Sequence, residues 1–383
     1  MSGAHTKRFV RRAGCLLLAA LAMPRAHGTE LPDWLTVHGF FSLTAEVSHG
    51  EDLPRPPLDE GEVSLKSSVI GVQAEIELAE DLSLIGQAVS TRREFKDFTP
   101  KLEWAYLSHD AGDGLNLRGG LLKIPFFQGA ELRYVGLSRP WARPVVPDSG
   151  AAGFNDYYGG EFIKKLAWKG FNLEFQGILG IGEHEQDQVV DGHQVGLLSA
   201  KIEHNDAWLK AAIFHARYDV DTPTGRRIES DAAAWMFSAE GQYPLAGFTL
   251  NAGFSYADIE VNPDDILAYL GVSRRFGRLT PYLLAQYHAL DFVVPDLQPP
   301  AGGAGGMPPG GGPPAMPPPG APEVREGLLR TRSLAFGVRY DIGERYALKA
   351  EVERVDIHDH SFANRPDRDF ETTVFSLLFE GVF

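Results

Sequence analysis

A two-residue alternation returns along nearly the whole chain, and it is the strongest limit on what the chain can become. In SLKSSVIGVQAEIELA (residues 64–79), Ile70, Val72, Ala74, Ile76 and Leu78 share one parity, while Val69, Gly71, Gln73, Glu75 and Glu77 take the other. Successive side chains of an extended strand point to opposite faces, so this stretch is a ribbon with one greasy face and one mostly polar face. FNLEFQGILG repeats the pattern with Phe171, Leu173, Phe175 and Leu179 against Asn172, Glu174 and Gln176. AWMFSAEGQYPLAGFTLNAGFSYA is two such ribbons joined by a tight turn at Pro244-Leu245-Ala246-Gly247, and SLAFGVRYDIGERYALKAEVERV is another pair around Asp341-Ile342-Gly343-Glu344. A period of two excludes amphipathic helices over these stretches.

Extended along the chain, the pattern predicts strands at 35–48, 64–79, 82–93, 101–109, 114–123, 157–168, 171–180, 193–204, 206–216, 233–243, 246–258, 264–276, 278–290, 328–341, 345–356 and 370–383. That is about sixteen, an even number, and most are long enough to cross a bilayer when tilted. The connections alternate in length. Short turns fall near Glu80, Ala111, Lys169, Asn205, Leu245, Gly277 and Gly343. Longer loops cover 49–63, 94–100, 124–156, 181–192, 217–232, 259–263, 291–327 and 357–369. A soluble sandwich has no reason to sort its loops by length, whereas a transmembrane barrel keeps tight turns on one side and long loops on the other. Inside hydrocarbon every unpaired peptide group costs several kcal/mol, so such a sheet must close on itself. The expected fold is all-β: a transmembrane antiparallel β-barrel of about sixteen strands with long external loops.

The first residues read differently. MSGAHTKRFVRRAG is basic, CLLLAALAM is a short apolar run, and PRAHGTE supplies small residues, the order of a secretory signal peptide over residues 1–28. Cleavage after Gly28 is expected, leaving residues 29–383 as one barrel domain. The leader holds the only Cys and five of the 36 basic residues, so the remainder carries 31 basic against 51 acidic residues, a balance of −20. Disulfides and thiolate metal sites are thereby excluded, and nucleic acid is not an expected partner.

The chain ends TTVFSLLFEGVF, with Phe375, Leu377, Phe379, Gly381 and Phe383 on one parity. This resembles the C-terminal signal of outer-membrane β-barrel proteins, which implies recognition by the barrel-assembly machinery through Phe375, Leu377, Phe379 and Phe383. The longest well-composed loop, IPFFQGAELRYVGLSRPWARPVVPDSGAAGFND (124–156), lies between the fifth and sixth strands. Strand count, loop order and loop position together resemble the general-porin-type barrels of Gram-negative bacteria. Within that group, GGLLKIPFFQGAELRYVGLSRPWARPVVP is similar to a segment of proteobacterial porin-like proteins, with Glu131, Arg133, Val135, Arg139 and Pro140 at the matching places. The acidic-rich loop motif of enterobacterial porins is absent.

The resemblance implies that this third loop folds inward and narrows the pore. A constriction selects by its diameter and by the charges lining it. The expected lining is Arg133, Arg139 and Arg143 against Glu131 and Asp148 from the loop, with Arg93, Lys101, Glu103 and Arg118 pointing in from the strands. The alternative role for the arginines is to fix the loop by pairing with wall carboxylates. The implied function is an outer-membrane porin, a water-filled channel for passive diffusion of small hydrophilic solutes, favouring anionic or zwitterionic ones. Outer-membrane lipid and lipopolysaccharide would surround it, and a homotrimer follows from the resemblance alone.

Other segments invite competing readings. Asp356, His358, Asp359 and His360 in VDIHDHSF, and Glu183, His184, Glu185 and Asp187 in IGEHEQD, have metal-ligating side chains, but both stretches are expected in solvated external loops. Residues 297–322 are Gly/Pro-rich with almost no charge, a composition that predicts a disordered external loop. No cofactor is implied, and the chain is not expected to be an enzyme. The rival readings are a hydrophobic-solute transporter and a barrel lipase or protease.

Overall fold

The computed structural model describes residues 31–50, 53–54, 57–93, 96–145, 155–185, 189–221, 227–260, 264–295, 324–359 and 368–383. The expected leader and most of the Gly/Pro-rich segment lie outside these residues. The strands are β1 (Leu35–Gly50), β2 (Leu53–Pro54), β3 (Pro57–Leu58), β4 (Val69–Ala79), β5 (Leu82–Arg93), β6 (Lys96–Asp110), β7 (Leu115–Lys123), β8 (Asp156–Trp168) and β9 (Phe171–Glu185). They continue as β10 (Val189–His204), β11 (Ala207–Asp221), β12 (Arg227–Leu245), β13 (Phe248–Ile259), β14 (Asp264–Ser273), β15 (Leu279–Pro295), β16 (Val324–Ile342), β17 (Tyr346–Asp359) and β18 (Arg368–Val382).

Sixteen of these strands, all but β2 and β3, form one closed antiparallel barrel in which each strand pairs with its neighbours in sequence and β18 pairs with β1. Closure leaves no edge, so every barrel strand is hydrogen-bonded on both sides. The last residue completes the seam. Phe383 N donates to Gly39 O at 2.9 Å and Gly39 N donates to Phe383 O at 2.7 Å. The Phe383 ring lies so close over Gly39 that a Cβ there would meet it at 2.2 Å. A side chain at residue 39 would therefore displace the terminal ring.

The alternation sorts the two faces. Ile70, Val72, Leu179, Leu198, Leu209, Phe254, Leu270 and Phe336 stand exposed on the outer surface. Ser42, Glu46, Gln87, Glu161, Ser199, Glu240, Glu351 and Ser376 are buried toward the lumen. An apolar exterior over a polar interior is stable only with lipid outside. The tight turns lie on one side together with the start of β1 and the end of β18, and the longer connections join the strands on the other.

Several strands extend beyond the expected limits. The expected loop 94–100 is mostly strand, because β5 runs to Arg93 and β6 starts at Lys96, with Arg93 opposite Lys96. Likewise β9 reaches Glu185, β12 begins at Arg227, β16 begins at Val324 and β17 reaches Asp359. His358 and Asp359 therefore sit on a strand and not in the expected loop, as do Glu183, His184 and Glu185, while Asp356 lies on the expected strand. The reason is cooperative: a neighbouring strand still offers backbone partners above the bilayer, so pairing continues until the chain must turn. In the opposite sense, residues 64–68 are not strand, and only Ser64 bridges to Glu46. The β2–β3 hairpin folds over the mouth, where Leu58 is buried against Val355, Ile357 and Val374.

Candidate functional site

After β7 the chain turns into the lumen and crosses it. Its described part, residues 124–145, contains two short 3-10 turns, Ala130–Leu132 and Gly136–Ser138. The first anchor is apolar. Phe126 packs edge-to-face on Phe127 and on Phe214, with ring centroids 5.0 and 6.4 Å apart. Around them lie Ile124 of the loop and Ile178, Leu197, Met236, Ala257 and Leu267, inward side chains of β9 to β14. Polar groups fix the register of this contact. Lys210 Nζ donates to Pro125 O at 2.7 Å, Ser238 Oγ donates to Phe126 O at 3.0 Å, and Gln128 N donates to the Glu240 carboxylate.

The second anchor, on the opposite wall, is charged. Lys349 Nζ is completely buried; it donates to Gly136 O at 2.8 Å and to Trp141 O at 2.9 Å, and pairs with Glu380 at 2.8 Å. Arg339 Nη1 donates to Leu137 O and Arg139 O at 2.8 and 3.1 Å. The Glu351 carboxylate accepts from Ala142 N at 3.1 Å and from the Tyr282 hydroxyl at 2.7 Å. Arg143 pairs with Glu46 at 2.7 Å and with Glu353. Burial acts to lower the Arg143 guanidinium, but the Glu46 and Glu353 carboxylates outweigh it and hold it above its ordinary value. Trp141 fills a slot between Tyr282, Leu284 and Ala335. Gly136 passes so near the wall that a Cβ there would meet the Glu380 carboxylate at 1.8 Å. Only a residue without a side chain fits at that approach.

Between the anchors one side of the loop faces a more open part of the lumen. Glu131, on the first 3-10 turn, is 42% exposed and pairs at 3.0 Å with Arg118 of β7, itself 20% exposed. Arg118 also pairs with the buried Glu161 at 3.2 Å and lies 5.3 Å from the centre of the Tyr106 ring. Gln176 donates to Glu161 at 2.6 Å. Towards the tight-turn end, Lys201 pairs with Glu203 at 2.9 Å and Lys165 lies 3.8 Å from Glu174. Arg118, Lys165 and Lys201 each have a carboxylate beside them. The strip is polar and of mixed sign.

The other expected lining residues are distributed as follows. Lys101 pairs with Asp156 at 3.2 Å, and Glu103 pairs with Lys123 at 2.6 Å, where β6 to β8 leave the loop base. Arg133 Nη1 donates to Asn155 Oδ1 at 2.9 Å and its guanidinium lies 5.2 Å from the centre of the Tyr134 ring. Arg139 Nη1 donates to Arg133 O at 3.0 Å. Burial pushes the Arg139 guanidinium down to about 10, with the Glu380 carboxylate acting against it, so it remains cationic at neutral pH. Arg143 takes the anchoring role in full. Arg93 ends β5 with its side chain outside the described residues, and Asp148 lies outside them altogether. Phe375, Leu377 and Phe383 stand on the outer surface, and Phe379 packs between Phe41 and Tyr346, with centroids at 5.4 and 6.0 Å. His358 is held by Asp369 at 2.8 Å. Among the described residues no group of three His, Cys, Asp or Glu side chains converges as a metal ion would need. His360 and Asp187 lie outside the described residues.

Residues not anticipated from the sequence are mainly those of the walls: Glu46, Glu161, Lys210, Glu240, Lys349, Glu351, Glu353 and Glu380. One signal was present. In ALKAEVERV, Lys349, Glu351 and Glu353 share the inward parity, three charges in a row on a face that must be buried or wet.

No family model matches the chain, and no curated protein sequence does. Solved structures match its fold. A loop-deletion mutant of OmpT, an outer membrane protein of Vibrio cholerae, is 14% identical, covers 92% of this chain and 100% of its own, and has a TM-score of 0.54. The outer membrane channel DcaP of Acinetobacter baumannii is 10% identical, with 91% and 97% coverage and a TM-score of 0.55. An anion-selective porin from Comamonas acidovorans is 12% identical, with 91% and 99% coverage and a TM-score of 0.54. At such identities the likeness concerns the fold. Closure, the apolar outer belt and these matches agree: the chain is an integral outer-membrane β-barrel with the sixteen-stranded porin fold.

Proposed function

We propose that the barrel is a porin, a passive channel for small hydrophilic solutes, and that it favours zwitterionic over purely cationic ones, with anions next. The observation that carries this reading is the mixed-charge strip of Glu131, Arg118 and Glu161, continued by Lys201–Glu203 and Lys165–Glu174. A solute bearing an ammonium and a carboxylate can exchange its water for both signs along such a strip, whereas a singly charged ion meets one favourable and one unfavourable group. The loop arginines add positive charge behind the strip. Fold likeness to an anion-selective porin agrees with a charged lining, although it does not carry selectivity across at 12% identity.

In this reading residues 1–28 are a signal peptide, the terminal Phe series is read by the assembly machinery, and the protein performs no chemistry. A homotrimer is part of the proposal, supported by the trimer form of the V. cholerae OmpT fold relative. Arg133 and Arg139 are proposed to act on the passing ion through the loop: changing each to Ala is expected to alter the reversal potential.

Liposome swelling tests the whole. Zwitterionic amino acids should enter faster than cationic ones of equal size, and equal rates would remove the preference. One observation favours a second reading, a conduit for hydrophobic solutes: the inner wall of β9 to β14 carries an apolar patch. Uptake of hydrocarbons with exclusion of amino acids would establish it. Hydrolysis of lipid or peptide by the pure barrel would instead favour the enzyme reading.

A further inference from the structure

One of the six Trp residues of the chain has surroundings unlike the others. Trp104 and Trp141 are buried, Trp168 and Trp235 stand exposed on the outer face, and Trp34 precedes the first strand. Trp208 lies on β11 with the parity of Lys210, whose Nζ bonds the inward loop, so its ring faces the lumen. The ring is only half-buried, a large apolar surface left part-open to the aqueous interior. A wet indole face forgoes the stabilisation of burial, and a polar lumen has no packing need for it.

Strand register supplies its neighbours. Across β9 to β13, Asn172 stands opposite Glu203, Glu203 opposite Trp208, Trp208 opposite Gln242, and Gln242 opposite Asn251. Directly opposed residues of adjacent strands face the same way, so these five form one lumenal row close to the tight turns. Four strand spacings make the row about 19 Å long. Lys201 Nζ lies 5.4 Å from the centre of the Trp208 ring and is held at 2.9 Å by Glu203, so that pair's charges offset each other. The rest of the row is neutral amide. Gln242 Nε2 donates to Asp206 O at 3.0 Å. Among the described residues the Asn172 and Asn251 amides and the Trp208 indole N–H have no protein hydrogen-bond partner, which leaves them to water or a solute. One row above, Pro125 and Gln128 of the inward loop are bonded to Lys210 and Glu240 and roof the row.

We propose that this row is a binding site for a neutral saccharide at the tight-turn mouth of the lumen, with Trp208 as its stacking platform and Asn172, Glu203, Gln242 and Asn251 as partners for its hydroxyls. The electron-rich face of an indole attracts the polarised C–H groups of a pyranose and covers that apolar side. A sugar hydroxyl both donates and accepts; carboxamides do the same and a carboxylate accepts, so the row answers both needs. A bare ion or a small amino acid has no flat apolar face to lay on the ring and gains nothing from it. The row is longer than one sugar ring, which suits a short oligosaccharide. The inference rests on the aqueous lumen of the proposed porin and not on the charge preference of the strip around Arg118 and Glu131.

The test is saturation-transfer NMR of maltotriose on the purified barrel in a detergent without a sugar headgroup, with polyethylene glycol of similar mass as the control. Binding is read without current through the pore, so its outcome is separate from that of the conduction experiments. The wild type should transfer saturation mainly to the ring C–H protons of the sugar and not to the glycol. Trp208→Ala should weaken binding about tenfold, and Trp208→Phe about threefold. Asn251→Ala should weaken it about threefold, which serves if Trp208→Ala folds poorly. No transfer in the wild type, equal transfer to the glycol, or unchanged affinity in these variants would overturn the site. So would full displacement of the sugar by equimolar glycine, which would assign the contact to the charged strip instead.

Discussion

The same inward loop is held on its two sides by different physics. On the wall of β9 to β14 it inserts Phe126 and Phe127 among Phe214, Leu197 and Met236. On the wall of β16 to β18 and β1 it lays its backbone carbonyls on Lys349 and Arg339 and its Arg143 between Glu46 and Glu353. Apolar packing is non-directional and tolerates small shifts, so on that wall the register is left to Lys210, Ser238 and Glu240, which bond residues 125 to 128. Buried charges are exacting, because each must find its full set of partners or impose its desolvation cost. Apolar burial brings residues 124 to 128 to one wall, and the buried charges of the other wall decide where residues 136 to 143 stop. Arg118 and Glu131 lie between the two, and they can face each other at 3.0 Å because both ends of the loop are fixed.

This contrast can be broken by substitution. Lys349→Met should have the largest effect, about 3–5 kcal/mol of barrel stability, since it strands the buried Glu380 carboxylate; urea midpoints in lipid vesicles measure it. Phe126→Ala should cost less, about 2–3 kcal/mol, because water from the lumen can enter the space it leaves. A reversed order of these two would overturn the account of the walls. Gly136→Ala should cost about 1–3 kcal/mol by pressing on Glu380, with a larger single-channel conductance as the loop backs away. Glu131→Gln should be nearly neutral for stability, within about 1 kcal/mol for a part-exposed pair, yet it should shift the reversal potential towards anions. A fall in its urea midpoint as large as that of Lys349→Met would make Glu131 an anchor and not a lining residue.

The barrel was legible in the sequence because its cause is local. Ile70 to Leu78, or Phe375 to Phe383, show their face by parity alone, and the turns at Lys169 and Asn205 are marked by neighbours that stop the alternation. The extension of β6 down to Lys96 was not legible: EFKDFTP alternates poorly, and it is pairing with Ser90, Thr91 and Arg93 of β5 that holds it. The inward loop was legible by its place and by its Arg and Glu residues. Its anchors were not, since parity says that Glu46, Lys349 and Glu380 face inward but not that Glu46 receives Arg143 of the loop or that Lys349 joins Glu380 beneath Gly136. Trp141 gave no sign of its slot because Tyr282, Leu284 and Ala335 come from strands more than a hundred residues away.

The most direct test is the reversal potential of single channels in a planar bilayer under a salt gradient, for the wild type, Arg118→Gln and Glu131→Gln. Ions passing between wall and loop should make discrete current steps, with Arg118→Gln moving the potential towards cation preference and Glu131→Gln moving it the opposite way. Absence of steps from the folded barrel, or the same potential in all three proteins, would contradict an aqueous path beside this pair.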